Sequence, residues 1–89
     1  MEFEFDPAKS QGNLAKHGID FVTAQQVWAD DERIDIAGRS VDEERRVVVG
    51  AIDDVLYAVV MTWRADKVRI ISARRAHGIE VRLYEDRDR

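Results

Sequence analysis

Apolar and acidic residues alternate in Phe3-Glu4-Phe5, which predicts a short first strand. Asp6-Pro7 then offers a helix start, with Asp as N-cap and Pro at the first helical position. That helix is expected to reach about His17, with Leu14 among its few apolar contacts. Lys16-His17-Gly18 supplies its end: cations in the last turn, and a glycine where the chain must turn left-handed. Asp20 is placed to cap a second helix, because Phe21, Val22, Ala24, Val27 and Trp28 follow a helical stripe, which Asp30-Asp31-Glu32 ends.

The remainder reads as strands. Arg33-Ile34-Asp35-Ile36 alternates, and Asp42-Glu43-Glu44-Arg45-Arg46 leads into Val47-Val48-Val49-Gly50. Asp53-Asp54 is a tight-turn candidate before Val55 to Arg64, and Ala65-Asp66 separates that strand from Lys67 to Arg74. A last helix from about Gly78 to Asp86 sets Ile79, Val81, Leu83 and Tyr84 for packing. The order β-α-α-β-β-β-β-α has no regular βαβ alternation. It predicts an α+β fold, a small antiparallel sheet with its helices on one side.

At 89 residues the chain is expected to form one domain with a thin core, and no internal repeat or linker-like stretch is visible. There is no cysteine, so disulfides and thiolate metal sites are excluded. Met1 to Asp6 has neither the basic start nor the apolar run of a secretion signal, and Val55 to Met61 is too short to span a bilayer. The expectation is a cytoplasmic protein. The net charge of -4 argues against a nucleic-acid partner only as an average. Residues 1–63 carry a net of -7 and residues 64–89 a net of +3, with Arg64, Lys67, Arg69, Arg74 and Arg75 against a single Asp66 in one short block. Such asymmetry points to an anionic partner.

Several strings in this order resemble the BrnT family. They are Phe3 to Lys9, Asn13 to Phe21, Glu43-Glu44-Arg45, Thr62-Trp63-Arg64, Arg69 to Ala76, and Glu80 with Leu83-Tyr84-Glu85. Together they cover essentially the whole chain. The resemblance implies a RelE-like fold flanked by helices, RNA cleavage without metal, and neutralisation by a BrnA-type antitoxin that carries any DNA contact. There is one departure: Ala65-Asp66 stands where the family often has Gly directly after the arginine.

A metal-free ribonuclease uses the 2′-OH of its substrate as nucleophile, so the protein must stabilise phosphoryl charge and move protons. Guanidinium groups suit the first task because they present forked donors and stay charged. Arg64 and Arg74 are the leading catalytic candidates, with Lys16, Lys67, Arg69 and Arg75 as further RNA contacts. Their grouping depends on register. If Arg64 pairs with Lys67, then Thr62, Arg64, Lys67, Arg69, Arg75 and Ala73 share one face and Arg74 lies on the other; a loop one residue longer joins Arg64 to Arg74. The first segregates polar from apolar residues better.

His17 is a general-acid candidate, set against a simple helix-cap role; Glu44, or Glu43, is a candidate base, set against surface pairing with Arg45 or Arg46. His77 reads as a linker residue; Tyr84 is a candidate to stack on a base or donate a proton, and Trp28 and Trp63 are candidate base-stacking platforms, all three set against the core packing that so small a domain favours. Two widely separated histidines and scattered carboxylates give no metal-ligand spacing, and no cofactor is expected. The competing reading is a non-catalytic module whose basic strand docks a protein. A homodimer within the complex is compatible with an exposed strand edge.

Overall fold

In the computed structural model, which describes residues 1–38 and 44–86, the elements follow the expected order. They are β1 (Glu2–Glu4), α1 (Pro7–His17), α2 (Phe21–Ala24), a 3₁₀ segment (Gln25–Ala29), β2 (Ile34–Ala37), β3 (Arg45–Ile52), β4 (Val55–Arg64), β5 (Lys67–Arg75) and α3 (Gly78–Glu85). The class is α+β, as expected. The five strands form one sheet in the order β1-β5-β4-β3-β2, antiparallel except at one edge. There β1 runs parallel to β5, Phe3 beside Val68, so the sheet is mixed rather than antiparallel. Among the described residues no helix is long and apolar enough to cross a membrane.

The helix signals act as read. Asp6 accepts from the Ala8 N–H at 2.9 Å, Pro7 follows, and Gly18 at φ 77° returns its N–H to the Leu14 carbonyl. The face that α1 buries is polar, which explains its weak apolar stripe. Ser10 and Asn13, one turn apart, point inward, while Leu14 is half exposed. Ser10 Oγ accepts from the Phe21 N–H at 2.9 Å. Asn13 Nδ2 donates to the carbonyls of Ile19 (2.7 Å) and Ala73 (2.8 Å), and its Oδ1 accepts from the Ala73 N–H (3.2 Å). The β1–β5 pairing ends at Arg69, so the Asn13 amide stands where a neighbouring strand would continue along β5.

The expected second helix is a single α-turn followed by the 3₁₀ segment. Asp20 caps it, accepting from the Thr23 N–H at 2.7 Å, and that bond holds the Asp20 carboxyl below its usual range. The 3₁₀ segment lies against β3 at Gly50, where an added Cβ would sit 2.8 Å from Val27 Cγ1 and 3.1 Å from the Val27 carbonyl oxygen. Only hydrogen fits at that crossing.

The helices cover both faces of the sheet, not one. α1, α2 and the 3₁₀ segment bury Phe21, Val27, Val59, Met61, Val68 and Ile70. α3 covers the opposite face, where Tyr84 packs on Val47, Val49 and Ala58. Ile79 and Leu83, expected to pack, stay exposed at 60% and 43%. Two polar braces fix α3. Arg74 forms a two-pronged pair with the buried Glu80 (Nη1–Oε1 2.7 Å, Nη2–Oε2 2.9 Å), and Glu80 Oε1 also accepts from the His77 N–H. At the far end the Tyr84 hydroxyl donates to Asp30 Oδ2 at 2.7 Å. Desolvation and that carboxylate push the Tyr84 phenol up to about 12.

The β4–β5 hairpin has the expected register, Arg64 opposite Lys67, but it is interrupted. Met61 pairs with Ile70 and Val60 with Ser72, leaving Ile71 as the extra residue of a β-bulge. The bulge inverts the alternation beyond it. Ala73 therefore turns into the α1-side core beside Val59, and Arg74 joins the α3-side face with Arg64, Lys67 and Arg69. Arg75, expected with those residues, pairs with Tyr57 and goes to the other face.

Ala65 holds φ 55°, a left-handed value that costs a residue with a Cβ roughly 1 kcal/mol. Ala65→Gly is expected to raise stability by about that amount in urea denaturation, whereas Gly50→Ala, which overpacks the Val27 contact, is expected to lower it by about 1–3 kcal/mol. The Arg74 guanidinium, with help from the His77 N–H, holds the Glu80 carboxyl below its usual 4.5. A depressed carboxyl stabilises the fold above its unfolded pKa, and the contribution fades as pH falls through the folded value. The stability gap between wild type and Glu80→Gln should therefore be full above the usual 4.5 and shrink as the pH falls through the lowered folded value; a gap independent of pH contradicts the brace.

Candidate nucleic-acid interface

The bulge and the strand pairings order the α3-side face into rows that run across the sheet. Ile34, Val49, Ala58 and Arg74 form one row, and Ile36, Val47, Val60 and Ser72 the next. A third contains Arg45, Thr62, Arg69 and Glu4, and the last Arg64, Lys67 and Glu2. Under and beside α3 the face is apolar. Toward the β4–β5 turn it is cationic.

Acidic residues of β1 hold the cations. Arg69 Nη1 donates to Glu4 Oε2 at 2.7 Å, Arg64 Nη1 lies 4.0 Å from the same oxygen, and Lys67 Nζ lies 3.8 Å from Glu2 Oε2. Arg69 is largely covered, whereas the Arg64 side chain is 65% exposed and only loosely held. Thr62 Oγ1 donates to the Glu44 carbonyl at 2.6 Å, tying the start of β3 to this row.

Between α3 and the sheet runs an open groove of about 550 Å³. Ile36, Val47 and Val60 form its floor, Ile79 and Leu83 one wall, and Arg45, Arg74, His77 and Glu80 its polar lining. Arg45 belongs both to the groove and to the cationic row, so the two are continuous. Arg74 is engaged by Glu80, which raises its already high pKa.

The candidate residues thus divide. Arg64, Lys67, Arg69 and Arg74 share the α3-side face, and Glu44 borders it as an exposed residue at the start of β3. Glu43 lies outside the described residues. Lys16 and His17 end α1, which packs on the opposite face, where Arg75 also lies. Of the two histidines it is His77, read from sequence as a linker residue, that enters the arginine groove. Sequence reading also missed Glu2 and Glu4 as partners of the cations. The alternation of β1 marked Glu2 and Glu4 as one face, but nothing local announces that β1 lies beside β5. Trp63, expected in the core, is 53% exposed at the end of β4. Among the described residues no group of three His, Asp or Glu side chains is placed to hold a metal ion.

A family model described as the ribonuclease toxin, BrnT, of type II toxin–antitoxin systems matches residues 5–80. No curated protein matches the chain. The match takes in α1, strands β2 to β5 and the start of α3 with Glu80, while β1 lies ahead of it. The chain belongs to the BrnT family of ribonuclease toxins, which act on RNA and pair with an antitoxin protein.

Proposed function

We propose that this chain cleaves RNA internally without a metal ion, binding the strand across the α3-side face. The observation that carries the reading is the grouping of Arg64, Lys67, Arg69 and Arg74 on one sheet face, continuous through Arg45 with a groove that contains His77. A single-stranded backbone presents regularly spaced phosphates, and a row of fixed cations at strand spacing meets them.

In this reading Arg64 and Lys67, the most exposed of the group, capture phosphate, and Arg69 is aimed by Glu4 at the scissile one. The substrate 2′-oxygen attacks phosphorus and loses its proton, while the P–O5′ bond breaks and the 5′-oxygen gains one. The products are a 2′,3′-cyclic phosphate and a 5′-hydroxyl. Guanidinium donors stabilise the charge that builds on the non-bridging oxygens, each worth about 3–4 kcal/mol when well placed. His77 serves proton transfer, and Glu44 is the candidate carboxylate at the border. His17 and Lys16 close α1, as their place before Gly18 implies. Arg74 acts through Glu80, holding α3 and the groove wall in position.

The partner in this reading is a BrnA-type antitoxin, which carries the DNA contact of the complex. The exposed Ile79 and Leu83 beside the groove favour neutralisation by occlusion of the same face. A homodimer within the complex is left to the sheet edge β2, a short strand with one side unpaired among the described residues.

Purified protein is expected to cut a labelled RNA in EDTA, leaving 2′,3′-cyclic phosphate ends. Arg69→Ala and Arg64→Ala should each slow cutting by about 10²–10³-fold with the fold intact, and His77→Ala by about 10²–10⁴-fold, while His17→Ala cuts as wild type does. Folded wild type that leaves RNA untouched in EDTA but cuts on addition of a divalent cation contradicts the reading.

A further inference from the structure

Trp63 immediately precedes Arg64, so its side chain emerges on the other side of the sheet from the cationic row, at the open end of the β4–β5 hairpin. More than half of it is exposed. It borders a cavity of about 410 Å³ whose other walls are Trp28, Arg33, Asp31, Asp35 and Met1, with Val48 beneath. That volume holds one nucleobase with room for its sugar.

Three of the walls, Trp28, Arg33 and Asp35, are held by contacts of their own. Trp28 is packed edge-on against Phe3, ring centroids 5.0 Å apart and planes at 77°. Arg33 Nη1 donates to the carbonyls of Trp28 and Asp30, both at 3.2 Å. Asp35 Oδ1 accepts from Arg46 Nε at 2.6 Å. The cavity therefore offers a flat indole face, the held carboxylate of Asp35 and the exposed one of Asp31, both acceptors for N–H donors, and a guanidinium. Exposed tryptophan on a protein-docking surface is ordinarily ringed by apolar neighbours; here three of the six other lining residues, Asp31, Arg33 and Asp35, are charged. An aromatic plane surrounded by polar groups matches a base, which has a π-face and a hydrogen-bonding rim.

We infer that Trp63 and the cavity beside it form a stacking subsite for one unpaired base of an RNA strand that passes around the hairpin turn from the Arg64–Lys67 row. The carboxylates of Asp31 and Asp35 favour a base whose edge carries N–H donors, for which guanine, with two adjacent donors, is the best match. The inference rests on the RNA-binding reading of the α3-side face, and Arg64 is its internal control.

The test is fluorescence anisotropy with a labelled single-stranded oligoribonucleotide of mixed sequence, 2′-O-methylated throughout so that it cannot be cleaved. Wild type, Trp63→Ala, Trp63→Phe and Arg64→Ala are compared as full chains at one salt concentration. Trp63→Ala should bind on the order of tenfold more weakly, and Trp63→Phe, which keeps a stacking face, should recover most of the loss. Both should keep the wild-type circular dichroism and melting temperature. Oligonucleotide addition should also quench tryptophan emission in wild type and quench it less in Trp63→Phe. If Trp63→Ala binds as wild type while Arg64→Ala is weakened, the subsite is overturned and the cationic face stands. If both bind as wild type, the face reading falls and the subsite with it. Unchanged RNA affinity together with weaker binding of the cognate antitoxin makes Trp63 a protein contact and overturns the inference.

Discussion

One extra residue in β5 governs the layout of this molecule. Without the bulge at Ile71, strict alternation would carry Ala73 to the α3 side and drive the Arg74 guanidinium into the α1-side core. With it, Ala73 turns inward and presents its backbone to the amide of Asn13. Arg74 turns outward to meet Glu80, whose carboxylate also anchors the first turn of α3. The bulge thus joins helix docking on one face to helix docking on the other. It also gathers four cations of one strand pair onto a single surface.

That surface is electrostatically poised rather than simply basic. Three of its cations already have partners in the acidic residues of β1, and the tightest of these contacts, Arg69 with Glu4, sits beside the loosest, Arg64 with the same oxygen. Exposed pairs of this kind contribute little to stability because water and salt screen them. Their physical effect is orientational: Glu4 holds Arg69 ready, while an arriving phosphate can displace carboxylate from the exposed Arg64 at small cost. The net charge of -4 is no obstacle when the acidic majority lies in the first two thirds of the chain.

The helix ends and the turns were legible because each is set by one or two residues acting locally. Asp6-Pro7, Lys16-His17-Gly18 and Asp20 do in the structure what their chemistry implies. Asp53 and Asp54, both at positive φ, make the tight turn expected of them. What was not legible depends on partners distant in sequence. Two strands with the same alternation pair equally well in either direction, so the parallel contact of β1 with β5 leaves no periodic mark. The inward face of α1 is polar because Ser10 and Asn13 serve backbone groups elsewhere, and a search for an apolar stripe cannot find it. The bulge did leave a trace, the doublet Ile70-Ile71 that breaks alternation in Arg69 to Arg74. An uninterrupted ladder segregates polar from apolar residues more cleanly, which masks that trace. The candidate face was therefore half visible: alternation groups Arg64, Lys67 and Arg69 as the structure does, but without the bulge it exchanges the faces of Arg74 and Arg75, and nothing local places His77 beside the groove.

The central claim is that RNA lies on the α3-side face, and backbone amide chemical-shift mapping tests it most directly. On titration with a 2′-O-methylated single-stranded oligonucleotide, the account predicts shifts at Arg45, Thr62, Arg64, Lys67, Arg69 and His77, with the amides of Gly12, Lys16 and His17 unmoved. Shifts concentrated along α1, with the Arg45–Thr62–Arg69 row unchanged, would contradict it.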